Sequence, residues 1–364
     1  MKSKRNGEIE LLRFLFSIII VLFHCNKDIF NYILPENYAY ALAPRGYIGV
    51  EFFFMLSGYF LAAGIAKSKS TAPLGTDTFR FVWKKYLSIF PYHIIAFAAL
   101  FTVHSLINWD FTIEKLLNVI PGALLITRSG IRFFDINGVE WYLSAMLLVM
   151  AAIYPIAKKH FDVYAKAIAP LSAILIYGWL IHDFKTLSGT TIWTAIGYRC
   201  MWRAAAGLNL GIFMYCCVQA ITKQEWEKRD YTIAKIARTI IWIAVGVYTM
   251  CLNPKEYEIY AVIVIFIALT LTFCFPYKDV KWLDSKAVMF LGKFSLPLYL
   301  NQNLAIIIGK EYFSELPDVL LVLIILAMNG VFSALCYFLG SKLLSKMQNG
   351  KLNKIVLGIK NAGN

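Results

Sequence analysis

The sequence predicts an all-α integral membrane protein, a polytopic bundle of about ten transmembrane helices with both termini cytoplasmic. Three observations carry that expectation. Hydrophobic residues make up 59% of the 364, and the mean hydropathy of +0.61 is far above that of a soluble domain. Charged residues are only 16%, clustered between apolar runs of membrane-spanning length. The cations also follow the spans: with the N-terminus inside, 25 of the 36 Lys and Arg fall in inside segments, at least three in each.

The expected span cores are 9–25, 47–66, 86–106, 139–157, 166–182, 201–221, 239–252, 258–276, 290–309 and 318–341. Run 239–252 is short for a hydrocarbon core about 30 Å thick. Run 116–126 is shorter still and holds Pro121-Gly122, which reads as a re-entrant or interfacial piece of an outer loop. The first run lacks a small-residue cleavage site, being followed by His24-Cys-Asn-Lys-Asp28, so it is expected to be a retained helix. The longest connection, 107–138, carries Trp109, Asp110, Arg128, Arg132 and Asp135. It is expected outside, as a substrate mouth or as a plain solvated loop. A single membrane-embedded domain is expected over 1–364, with its core at about 8–345 and a basic cytoplasmic tail at 342–364. Its place is the cytoplasmic membrane and its solvent the lipid bilayer.

The net charge of +14 does not point to nucleic acid, because the positive residues alternate with spans rather than forming one patch. The seven cysteines lie mostly in apolar segments and no C-x-x-C occurs. Neither a disulfide framework nor a zinc site is expected, no metal is implied, and nothing argues for a Cys25–Cys200 bridge.

The chemistry starts in the first span, where Arg13 and His24 stand eleven positions apart. Eleven helical steps return to within about 20° of the same face, roughly 16 Å along the axis. An Arg inside a span is costly unless something meets it. Arg13 is therefore either an anchor snorkelling to the interface or half of a site, and His24 either an interfacial residue or the other half. The second span opens Gly49-Val-Glu51-Phe-Phe-Phe-Met-Leu-Ser57-Gly58 once its register is followed from Gly46. If the first two helices are antiparallel neighbours, Glu51 lies at the depth of His24, where it would fix the ring's tautomer; the alternative is a pair with Arg45. Ser57-Gly58 suits close helix packing.

Arg80, Lys84 and Lys85 lead into the third span. They suit the phosphates of a cytosolic cofactor, or simply the excess of inside cations. Glu140 and Trp141, beside Tyr142, begin the fourth span; Arg199 and Arg203 enter the sixth from the same side. The acid is a second site candidate, Trp141 suits an aromatic belt, and the two arginines would neutralise the acids or bind an acidic acceptor. His182-Asp183 reads as an interface pair, while His93 and His104 have nothing in the sequence to recruit them. Asn301, Gln302 and Asn303 need hydrogen-bond partners in an apolar ninth span, at a packed interface or a cavity.

Together these residues resemble the acyltransferase 3 family of membrane acyltransferases. The resemblance rests on Arg13, ten residues, His24; on Gly49-Val-Glu51 through Leu56-Ser57-Gly58; on Lys84-Lys85 ahead of Ile89-Phe-Pro91; on Trp141-Tyr142-Leu143; and on Leu291-Gly292-Lys-Phe-Ser295 with Leu298-Tyr299-Leu300. It covers about residues 8–345. Ser88 and Gln302 depart from it, standing where the family often has Arg and His. The resemblance implies transfer of an acyl group, usually acetyl from cytosolic acetyl-CoA, to a hydroxyl of an extracytoplasmic surface glycan: polysaccharide, lipopolysaccharide or peptidoglycan. On that reading Arg13, with Arg80, Lys84 and Lys85, meets the CoA. His24 acts as general base or carries the acyl group briefly, and Glu51 orients it. Glu140, Trp141, Arg199, Arg203 and Gln302 face the acceptor. The rival reading is a transporter or flippase for a lipid-linked sugar; a third is a sensor or scaffold without activity.

Overall fold

Apolar runs in this chain become long helices because a helix satisfies every internal backbone polar group within itself, the condition for crossing hydrocarbon. In the computed structural model the described residues are 6–29 (side chains to Cys25), 42–131, 135–252, 255–277 and 280–358. Of the positions named above, Arg132 lies outside the described residues, as do the inside cations Lys2, Lys4, Arg5, Lys278 and Lys360.

The helices in order are α1 (Gly7–Ile29), α2 (Gly49–Lys67), α3 (Leu74–Asn108), α4 (Ile113–Asn118), α5 (Ile120–Ala123), α6 (Trp141–Lys159), α7 (Phe161–Val163), α8 (Ala169–Phe184), α9 (Arg199–Ile221), α10 (Lys228–Cys251), α11 (Glu258–Cys274), α12 (Lys286–Phe313), α13 (Asp318–Asn349) and α14 (Lys351–Leu357). A two-residue antiparallel hairpin, β1 (Trp193–Thr194) and β2 (Gly197–Tyr198), precedes α9. By length and composition, eight segments of the described residues can cross a membrane. The ten expected cores overlap helices, and eight of them qualify; those on α1 and α12 are not among the eight. Lys293 with the amides Asn301 to Asn303 interrupts α12. Run 116–126 forms the short helices α4 and α5, as its length requires.

The chain divides into two compact units: residues 1–67 with 160–295, and residues 68–159 with 296–364, the division falling within α12. In the first unit α9 packs on α2 and α8, and α11 on α2, α9 and α10. The α2–α9 crossing is backbone on backbone. A Cβ on Gly58 would lie 2.0 Å from the Leu208 carbonyl oxygen, and one on Gly211 would lie 2.0 Å from that of Met55. Glycine is therefore the residue that lets these helices meet, and Ser57-Gly58 is a packing motif as its sequence suggests. Around the crossing Ile48, Phe52, Met55, Ala206 and Met214 are fully buried.

In the second unit α3 packs against α13, α6 and α14. Phe97, Leu100, Val119, Ile136 and Leu304 form its apolar centre. Two hydrogen bonds fasten α14: Arg80 Nε to the Val356 carbonyl at 3.2 Å, and Trp83 Nε1 to Asn353 Oδ1 at 3.1 Å.

Candidate active site

Helix α1 runs unbroken through Arg13 and His24, so the two positions share a face as their spacing requires. Arg13 is half-buried and its Nη1 lies 3.4 Å from Glu10 Oε2. Glu10 is itself buried, and Gly292 makes room for it: a Cβ there would stand 1.9 Å from Glu10 Oε2. Gly292 of α12 thus explains one of the sequence blocks by contact with another. The Glu10–Arg13 pair is an i,i+3 helical pair and legible in the sequence; the need for Gly292 is not.

His24 is half-buried, with Nδ1 3.0 Å from the Ile20 carbonyl oxygen. A carbonyl only accepts, so Nδ1 carries the hydrogen and Nε2 carries the lone pair of the neutral ring. The backbone thus fixes the ring's tautomer, the part expected of Glu51. The Phe23 ring next to it packs edge-on against Tyr47 at 5.3 Å.

Glu51 is fully buried, and its two oxygens serve Arg203 Nε and the Tyr177 hydroxyl. It is placed neither on His24 nor on Arg45. Arg203 spends its remaining nitrogens on backbone: Nη1 on the Leu187 carbonyl at 3.1 Å and Nη2 on the Tyr47 carbonyl at 2.7 Å. Arg203 thus neutralises an acid, one of its two expected roles. Arg45 donates to the Tyr47 hydroxyl at 2.8 Å and lies 3.8 Å from Glu258 Oε1. Glu258, also fully buried, accepts from Tyr47, from Thr186 Oγ1 at 2.7 Å and from the Leu187 amide. Sequence reasoning passed over Glu258, although an acid opening an apolar run is the same signal that drew notice to Glu51.

Arg199, one turn before Arg203, is 2% exposed and stacks on Phe184 at 4.3 Å. Arg238 of α10 is buried too, with Nε 3.0 Å from Glu8 Oε1 and its guanidinium 4.2 Å over Tyr277. A cavity of about 570 Å³ lies between α1 and α10, lined by Leu12, Phe16, Ile19, Trp242 and Gly246 among others. At 100° per residue its face of α1 is roughly 140° from that of Arg13 and His24, so it is not on their side of the helix.

The second unit holds the other candidates. His93 Nε2 bonds the Gly122 carbonyl at 3.1 Å, and Nδ1 faces Glu140 Oε1 at 3.9 Å, both side chains being buried. This recruits a histidine that the sequence left without a partner, and it explains the short helix α5, which presents Gly122 fifteen residues in from the end of α3. His104 likewise has a neighbour, Lys115 Nζ at 3.1 Å. The same Lys115 hydrogen-bonds Asp110 and holds that carboxyl below its ordinary range. Trp141 is buried, edge-on to Tyr142 at 6.2 Å. Gln302 is fully buried, its amide turned back to the Tyr299 carbonyl at 2.7 Å. Asn303 reaches Asn137 at 3.1 Å. Of the expected phosphate ligands, Arg80 is tied to α14 through Nε, Lys85 is half-buried and Lys84 is exposed. Cys25 and Cys200 are both buried, and the His182–Asp183 pair is exposed at 2.8 Å.

Comparison with known proteins gives one curated relative and one family. The relative is a serine/alanine racemase of Enterococcus gallinarum, 26% identical over 359 positions. The match takes in 93% of this chain but only 46% of that protein, so the chain spans about half its length. No solved structure matches. The family model described as an acyltransferase domain matches residues 6–339, a span that includes the α1 pair, the Glu51–Arg203 cluster and the His93–Glu140 pair: the chain belongs to the acyltransferase 3 family of membrane acyltransferases.

Proposed function

We propose that the protein is an O-acetyltransferase of the cytoplasmic membrane, carrying acetyl from cytosolic acetyl-CoA to a hydroxyl of an extracytoplasmic glycan. The observation that supports this reading best is His24, half-buried with Nδ1 3.0 Å from the Ile20 carbonyl oxygen, on the face of α1 that carries Arg13. Nε2 takes the proton of the acceptor hydroxyl as its oxygen attacks the thioester carbonyl. The carbon–oxygen bond forms, the carbon–sulfur bond breaks, and the CoA thiolate leaves and is protonated. Arg13, aligned by Glu10, meets the phosphates or the pantetheine arm of the donor. The name of the relative speaks of racemising serine and alanine; it belongs to a protein twice as long and is not carried over.

Purified protein in proteoliposomes, given acetyl-CoA and a glycan acceptor, is expected to release free CoA thiol in step with ester formed. A flippase moves the glycan without any thiol appearing, and that outcome would replace this reading. The same assay tests Gly292. Gly292→Ala forces Glu10 off its present position, so Arg13 loses its alignment. Thiol release should fall on the order of 10–100-fold, as misplacing a positioning group does. Unchanged release would remove the Glu10–Arg13 pair from the account.

A further inference from the structure

The buried arginines of the first unit form a comparison one turn apart. Arg203 and Arg199 lie four residues apart on α9, both at most 2% exposed. Arg203 has each nitrogen on a protein oxygen. Arg199 does not: its Nε and Nη2 are buried and have no hydrogen-bond partner among the described residues. The acids nearby are already engaged. Glu51 serves Arg203 and Tyr177, and Glu258 serves Tyr47, Thr186 and the Leu187 amide.

Two features make this costly. A buried guanidinium without partners forfeits its hydration for nothing. Arg199 is also the first residue of the 23-residue helix α9, whose positive end repels a cation and attracts an anion. The pattern of unmet donors is specific. Nε–H and the adjacent Nη2–H lie along one edge of the guanidinium plane, parallel to each other. That edge is the fork to which a carboxylate or phosphate binds through two oxygens. The opposite nitrogen, Nη1, is packed toward Gly189, where a Cβ would stand 3.0 Å away, and the flat face rests on Phe184. The side chain is held in place with its fork unused.

We propose that the Nε–Nη2 edge of Arg199 is an oxyanion site, and that the glycan acceptor is acidic, its carboxylate or phosphate seated on that edge. This rests on the acyl-transfer reading. It divides the two arginines: Arg203 is structural, and Arg199 selects the substrate. Charge selection at Arg199 would favour acidic over neutral glycans without touching the reacting atoms.

The test is thermal unfolding of the full chain in phosphatidylcholine nanodiscs at fixed ionic strength. The probes are sodium glucuronate, glycerol phosphate and inorganic phosphate, with glucose as the neutral control. An organic oxyanion should raise the wild-type midpoint by about 2 °C near saturation, and glucose should not. Arg199→Met should unfold no lower than wild type without a probe, because it deletes an unpaired buried charge. It should show no response to any probe. Response to glucuronate alone assigns a carboxylated sugar; response to glycerol phosphate assigns a phosphorylated one. The proposal is overturned if no probe acts, if only inorganic phosphate acts, or if Arg199→Met responds as wild type does. Should Arg199→Met fail to fold, Arg199→Gln is judged by the same criteria. Because binding is read without turnover, failure of the transferase reading in the thiol assay is a separate result.

Discussion

Arg203→Met should destabilise the protein by about 3–5 kcal/mol, the cost of stranding a buried carboxylate. Glu51 is fully buried and Arg203 is 1% exposed, so water cannot replace the lost partner. The Leu187 and Tyr47 carbonyls also lose their donors, which adds to the loss. Arg203→Lys should recover little. One ammonium on a flexible stem cannot reach Glu51 and two backbone carbonyls in three directions at once. Replacing both partners should cost less than the two single losses together, since the double variant Glu51→Gln with Arg203→Met leaves no bare charge. The measurement is the unfolding midpoint in detergent micelles for the two single variants and the double. Single variants as stable as wild type would mean that the pair is not the keystone of the α2–α9 contact.

How much of this was legible in the sequence depends on where each partner sits. The α1 pair was legible because Arg13, His24 and Glu10 share one helix, and helical periodicity alone relates them. The apolar run predicts a span only over 239–252, yet α10 begins at Lys228 behind a Glu227–Asp230 capping box. Its first half, with Lys228, Arg229, Lys235 and Arg238, looks like a loop to any hydropathy window. Arg238 is nevertheless buried, because Glu8 from the other end of the unit meets its charge. Glu51 stands out in the sequence as an acid in an apolar run, expected beside His24 or Arg45, but its partner Arg203 is 152 residues away. No local rule chooses it over Arg45. His93 has Gly122 and Glu140 as neighbours through a short dipping helix that only the folded chain brings to it. Gly292 answers to Glu10 nearly the whole chain away. Side chains whose environment is set by their own helix could be read; those neutralised across the bundle could not.

His24→Ala should abolish transfer while leaving the fold intact. The imidazole is half-buried on α1 and its Nδ1 bonds a carbonyl of its own helix, so removing it empties little core. Loss of a general base costs typically 10²–10⁴-fold; loss of a histidine that itself carries the acyl group would leave nothing measurable. His24→Gln tests the atom rather than the space, since its side-chain amide has no basic nitrogen to replace Nε2. Both variants should keep the wild-type unfolding midpoint to within a few degrees.

The most direct measurement is base-labile acetate on isolated surface glycan from cells lacking the protein, complemented with wild type or His24→Ala at matched membrane levels. The account predicts that wild type restores ester-linked acetate and His24→Ala does not. Equal restoration by both would show that His24 is not the base and that the mechanism built on α1 is wrong.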